Sequence, residues 1–115
     1  FTSKSKFDDH IAAQIKQMLE DNIYGKITVS QISERLHYGK THLSAAFRKV
    51  YGRSMINYYT YLKVEESKKL IREQNLSIQE ISACLKFDTP QYFSKRFKQY
   101  TGMSPTEYLL SVKMD

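Results

Sequence analysis

Residues 28–54 read TVSQISERLHYGKTHLSAAFRKVYGRS, and residues 77–104 read SIQEISACLKFDTPQYFSKRFKQYTGMS. The two stretches carry one pattern twice. Val29, Ile32, Ser33, Leu36 and Tyr38 recur 49 positions later as Ile78, Ile81, Ser82, Leu85 and Phe87. After one extra residue, Leu43, Phe47, Arg48, Gly52 and Ser54 recur 50 positions later as Phe93, Phe97, Lys98, Gly102 and Ser104. Each copy opens on a capping box, Thr28-Val-Ser-Gln31 or Ser77-Ile-Gln-Glu80, in which the hydroxyl takes a backbone N–H and the side chain three residues on reaches back. Apolar residues at helical spacing follow, then a tight turn, then a second helical stretch. Two helix-turn-helix units are therefore expected.

The flanking sequence completes an all-α chain of about seven helices. Glycine and proline are scarce, and the apolar residues keep helical spacing almost throughout. Phe7, Ile11, Ile15, Met18 and Leu19 form one stripe of a first helix, with Asp8 and Asp9 expected at its positive end and Asn22 with Gly25 closing it. Ser54 should start a long helix running to about Gln74, with Tyr59, Leu62, Leu70 and Ile71 supplying apolar contacts. Thr89 followed by Pro90 starts another helix. Ser104-Pro-Thr-Glu107 is a third capping box, with Pro105 at the first helical position. The domain, residues 1–115, thus divides into a first unit at about 7–53, a linker helix at about 54–74 and a second unit at about 75–113.

With 115 residues, the chain is one domain or two very small ones, and large multi-domain enzymes are excluded. No apolar stretch approaches the roughly 20 residues needed to cross a bilayer, so a soluble chain is expected. It opens on Phe1, without an initiator Met or a basic leader, and reads as the terminal domain of a longer, cytoplasmic chain. Cys84, the single cysteine, falls in the apolar run with Ile81 and Leu85 and is expected in the core. A lone thiol suits a reducing compartment.

Eighteen Lys and Arg face twelve Asp and Glu, a net +6, and the excess is localised. Residues 35–53 hold Arg35, Lys40, Arg48, Lys49 and Arg53 with no acid, giving +5. Residues 86–102 hold Lys86, Lys95, Arg96 and Lys98 against Asp88, giving +3, and the rest of the chain sums to −2. Two separated basic segments are the pattern of a polyanion-binding surface.

Within each unit the second helix is the expected reader. Leu43, Ala46, Phe47 and Val50 share one face and should point inward, which leaves Lys40, Thr41, Ser44, Ala45 and Arg48 outward. In the second unit Phe93, Phe97 and Tyr100 point inward, leaving Gln91, Ser94, Lys95 and Lys98 outward. An α-helix fits the DNA major groove, where Gln can bond adenine bidentately, Lys can reach guanine, and Ala or a Thr methyl can touch the thymine methyl. Lys40, Thr41, Ser44, Ala45, Gln91, Ser94 and Lys95 are the candidate base readers. Arg48, Lys49, Arg53, Thr89 and Lys98 are the candidate phosphate contacts, which position without specifying.

The run Ile78 to Phe87, then Tyr92-Phe-Ser-Lys-Arg-Phe-Lys98, then Thr101-Gly-Met-Ser-Pro105 resembles the second helix-turn-helix of AraC/XylS-type transcriptional regulators. His42-Leu-Ser-Ala-Ala-Phe-Arg48 to Gly52 is similar to the first, and Tyr58 to Ile71 to the linker helix, so the likeness covers about Phe7 to Leu110. It implies a bacterial, sequence-specific reader of double-stranded DNA with its two recognition helices in successive major-groove segments. It also implies RNA polymerase as a partner, no cofactor, and an N-terminal effector, dimerisation or receiver domain elsewhere in the protein. A 54–74 helix about 30 Å long is close to the roughly 34 Å between such segments. Four residues depart from the family pattern. Lys86 stands where glycine is usual and is expected to need a positive φ, at a cost on the order of 1 kcal/mol. Lys63 replaces a usual arginine, losing any bidentate pair. Arg96, at the edge of the inward face, should snorkel. Ala45 stands where many members carry a larger polar reader, so the first unit should discriminate less than the second.

Other classes find little support. No Cys or Ser with His forms a recognisable nucleophilic constellation, and His10, His37 and His42 lack usual metal-ligand spacing. Cys84, as a core residue, does not fit the reactive cysteine of a DNA-repair enzyme carrying a similar domain. Nine Tyr and six Phe would suit a protein-interaction module, but at helical spacing most are core residues.

Overall fold

In a computed structural model the described residues are 2–113, with side chains described from Lys6 to Lys113. Among them the order is α1 (Thr2–Asp21), α2 (Val29–Leu36), α3 (Lys40–Tyr51), α4 (Met55–Glu73), α5 (Ile78–Cys84), α6 (Pro90–Thr101) and α7 (Pro105–Lys113), with no strand. All three capping boxes close. Thr28 with Gln31, Ser77 with Glu80 and Ser104 with Glu107 each exchange two hydrogen bonds of 2.8–3.1 Å. The same bonds to Ser77 and Ser104 hold the Glu80 and Glu107 carboxyls below their ordinary pKa. Ser54 caps α4 through the Asn57 N–H at 3.1 Å, and Thr89 caps α6 through the Tyr92 N–H at 2.9 Å.

The chain divides into two compact units, and the division falls inside α4. The first unit holds the residues up to Asn22 together with Lys26–Tyr59; the second holds Ile23–Gly25 and the residues from Thr60 onward. The segment read as a separate linker is therefore shared between the units. In the first unit α1 packs along α3, and Ile11, Ala12, Ile15 and Leu19 of α1 are buried with Ile32, Leu43, Ala46, Phe47 and Met55. The core of the second unit is Val64, Ile71, Ile81, Leu85, Phe93 and Phe97, with Leu70, Phe87, Tyr100, Tyr108 and Leu109 packed against it.

The repeat extends to the backbone. His37 and Lys86, 49 positions apart, both follow the first helix of their unit and both have φ of 61°. Gly52 and Gly102, 50 positions apart, end the second helices at φ of 74° and 83°. The left-handed turn expected at Lys86 is present, at a cost on the order of 1 kcal/mol. It is matched at His37, which the same 49-residue offset marks.

Helix α1 starts at Thr2, before Phe7, because the preceding polar residues contain no breaker and extending a helix needs no new nucleus. Asp8 and Asp9 consequently lie beyond the first turn. Asp8 is buried and faces the Lys49 ammonium at 3.4 Å, an ion pair between α1 and α3 in place of a dipole contact. Phe7, expected to point inward, is 42% exposed. After α1, the Asn22 amide donates to the Met18 carbonyl at 2.7 Å, and Gly25 does not adopt a left-handed conformation.

Beyond Met55, the buried stripe of α4 is Thr60, Lys63, Val64, Ser67 and Ile71, while Tyr59, Leu62 and Leu70 are only partly covered. Three of these five are polar, and burial of a polar group is tolerated where a hydrogen bond replaces water. Ser67 donates to the Val64 carbonyl at 2.6 Å. Lys63, 5% exposed, donates to the carbonyls of Ile23 at 3.0 Å, Gly25 at 2.7 Å and Leu85. A compact ammonium suits three converging acceptors, so the lysine makes contacts of its own at this position. Cys84 is half-buried at the end of α5, and the fully buried residues there are Ile81, Ser82 and Leu85.

Candidate nucleic-acid interface

Helices α3 and α6 are each twelve residues long, and each carries three Lys or Arg and no carboxylate. In α3, Leu43, Ala46 and Phe47 are buried, which turns Lys40, Thr41, Ser44, Ala45 and Arg48 to solvent. In α6, burial of Phe93 and Phe97 leaves Gln91, Lys95 and Lys98 exposed, with Ser94 half-buried at the edge. Each unit thus presents one polar and cationic helix face opposite its core. At N3 of each helix, His42 and Tyr92 add an exposed ring.

The candidate phosphate residues differ in their surroundings. Arg48 and Lys98 sit in the last turns of α3 and α6 and are exposed. Lys49 is exposed too, but its ammonium is already drawn to Asp8. Arg53 lies beyond α3 and is exposed. The Thr89 hydroxyl oxygen accepts the Tyr92 N–H, and its own proton can still be donated outward. Arg96 behaves as expected of a snorkelling residue: its guanidinium lies 5.2 Å from the Tyr100 ring centre and donates to Gln99 at 2.7 Å.

The two faces differ chemically. The central positions of α3 are the small side chains Thr41, Ser44 and Ala45, with basic residues at the two ends of the helix. Those of α6 are the longer Gln91 and Lys95, which can span the gap to a base edge. Among the described residues no cluster of His, Cys, Asp and Glu could hold a metal ion, and no helix is long and apolar enough to cross a membrane.

Residues 32–111, most of the chain and both faces, match the family described as "Helix-turn-helix domain". The transcriptional activator AarP of Providencia stuartii is 33% identical over 107 residues, covering 93% of this chain and 79% of AarP. The chain belongs to the AraC-type helix-turn-helix family. Among other members, the uncharacterised transcriptional regulator YobQ of Bacillus subtilis is 30% identical over 91% of this chain, which spans only 43% of YobQ. The fold of this AraC-type domain is shared with the C-terminal domain of AraT, a response regulator from Geobacillus stearothermophilus. That likeness has a TM-score of 0.83 at 27% identity and covers 88% of this chain and 84% of the other.

Proposed function

We propose that this AraC-type domain binds double-stranded DNA sequence-specifically as the reading domain of a bacterial transcriptional regulator acting in the cytoplasm. The observation that carries this reading is the pair of exposed polar and cationic faces on α3 and α6, each held outward by a buried apolar face. Each helix lies in a major-groove segment of one duplex. Gln91 and Lys95 read adenine and guanine edges, Ser94 assists from the rim, and Lys40, Thr41, Ser44 and Ala45 approach closely with fewer strong contacts. Arg48, Arg53, Thr89 and Lys98 hold the sugar-phosphate backbone. Lys49 joins them to the extent that phosphate outcompetes Asp8. No residue has a catalytic role. The domain operates with RNA polymerase and with an effector, dimerisation or receiver domain of the whole protein.

Selection of bound sequences from a random duplex pool, followed by titration against salt, tests this reading. Neutralisation of six to eight phosphates gives a slope of log affinity against log salt of about −5 to −7. A slope near zero, or a pool that emerges without enrichment, refutes it.

A further inference from the structure

The repeat places an aromatic pair in the same position of both units. In the second unit the ring of Phe87, in the turn before α6, lies 6.3 Å from that of Tyr92. In the first unit Tyr38, in the turn before α3, stacks on His42 with ring centres 5.5 Å apart and planes 21° apart. Tyr38 and Phe87 are 49 residues apart, and His42 and Tyr92 are 50 apart, so both pairs obey the repeat offsets. Tyr92 is 44% exposed, and its hydroxyl makes no hydrogen bond among the described residues. Three other tyrosine hydroxyls are engaged, Tyr59 with the Asn22 carbonyl, Tyr108 with Arg72 and Tyr100 with Arg96. An exposed ring with an unused donor, in a helix whose opposite face is core, is not explained by packing alone.

The direction in which these rings lie decides what they can touch. With 3.6 residues per turn, Tyr92 is about 60° around the α6 axis from Lys95. It is displaced toward the turn, because its ring packs on Phe87. In a helix-turn-helix docked on DNA, the second helix enters the major groove while the first crosses the sugar-phosphate backbone. The shoulder between them therefore meets the edge of the groove, where phosphate oxygens accept hydrogen bonds.

We propose that Tyr92 and His42 are backbone-anchoring residues, the Tyr92 hydroxyl and the His42 imidazole N–H each donating to a phosphate on the wall of the groove its own helix enters. The turn residues Phe87 and Tyr38 act as positioning residues that hold those rings at the shoulder. This inference rests on the DNA-binding reading above and extends it. It predicts an anchor different in kind from Lys98: a neutral donor releases no counterion and carries no sequence information.

Tyr92→Phe keeps the ring and its packing and removes only the donor, so the fold is retained and circular dichroism should be unchanged. In the intact 115-residue chain the loss of one hydrogen bond to a charged acceptor should weaken binding about tenfold. The loss should be equal on the selected duplex and on scrambled duplexes, and the salt slope should stay that of the wild type. His42→Phe should likewise weaken binding to every duplex alike. Lys98→Ala, run in parallel, should also weaken all duplexes but should lower the slope by about one. Unchanged affinity in Tyr92→Phe alongside a loss in Lys98→Ala overturns the anchor proposal and leaves the DNA-binding reading standing. A loss confined to one base position overturns it too, making Tyr92 a base reader. Failure of the wild type to bind any duplex at low salt overturns both.

Discussion

Replacing Lys63 by methionine tests the link between the buried polar stripe of α4 and the reading helix of the same unit. The ammonium joins three main-chain carbonyls of the second unit, two in the 23–25 segment and one at Leu85, the C-cap of α5 immediately before the left-handed Lys86. Methionine keeps most of the volume and removes every donor. The Leu85 carbonyl is buried and loses this partner outright, which costs about 1–3 kcal/mol. The carbonyls of Ile23 and Gly25 are half-buried and can partly rehydrate, so each adds about 0.5–1.5 kcal/mol at most. Removing a charge from a site 5% exposed relieves desolvation and offsets part of this loss. The net expectation is about 2–4 kcal/mol of destabilisation, read by urea unfolding under circular dichroism. Lys63→Arg keeps charge and donors and should lose less. Because the Leu85 carbonyl sits at the mouth of the turn into α6, Lys63→Met should also weaken binding to the selected duplex under conditions where the domain remains folded. A Lys63→Met variant within about 0.5 kcal/mol of the wild type, an ordinary value for a neutral surface change, would refute the reasoning, since it would mean that the three contacts contribute nothing net.

The reading faces make further predictions. Gln91→Ala or Lys95→Ala should cost about 1–3 kcal/mol at one or two base positions and relax selectivity there, measured by competition with single-base variants; an equal loss on every duplex removes the base-reader assignment. If both units engage one duplex, inserting five base pairs, about half a turn, between two footprinted sub-sites should abolish the gain of the full site over either half; unchanged affinity means that one unit reads alone. The depressed pKa values of Glu80 and Glu107 mean that the folded state favours their ionised forms, so the capping boxes stabilise above the ordinary carboxyl pKa and that contribution fades as pH falls below about 4.5. Urea unfolding of Glu80→Gln and Glu107→Gln across that range should show a weaker pH dependence than the wild type, and an identical profile would refute it.

What could be read from the sequence was whatever depends on neighbours within a turn or two of helix. Capping boxes join residues three apart, helical faces repeat every three or four, and the 49- and 50-residue offsets made the two units visible as copies. The outward positions of α3 and α6 follow from that periodicity, and all the candidates except half-buried Ser94 are exposed as expected. The aromatic shoulder obeys the same offsets, but ring packing across a turn is not a periodicity and is visible only in the folded turn. Only the tertiary structure decided which polar groups go inside. Lys63 meets carbonyls 40, 38 and 22 residues away, and Asp8 meets Lys49 41 residues away. A charged side chain is buried only where distant acceptors or an opposite charge converge on it, and that convergence is a property of the packed chain, absent from any local stretch of its sequence.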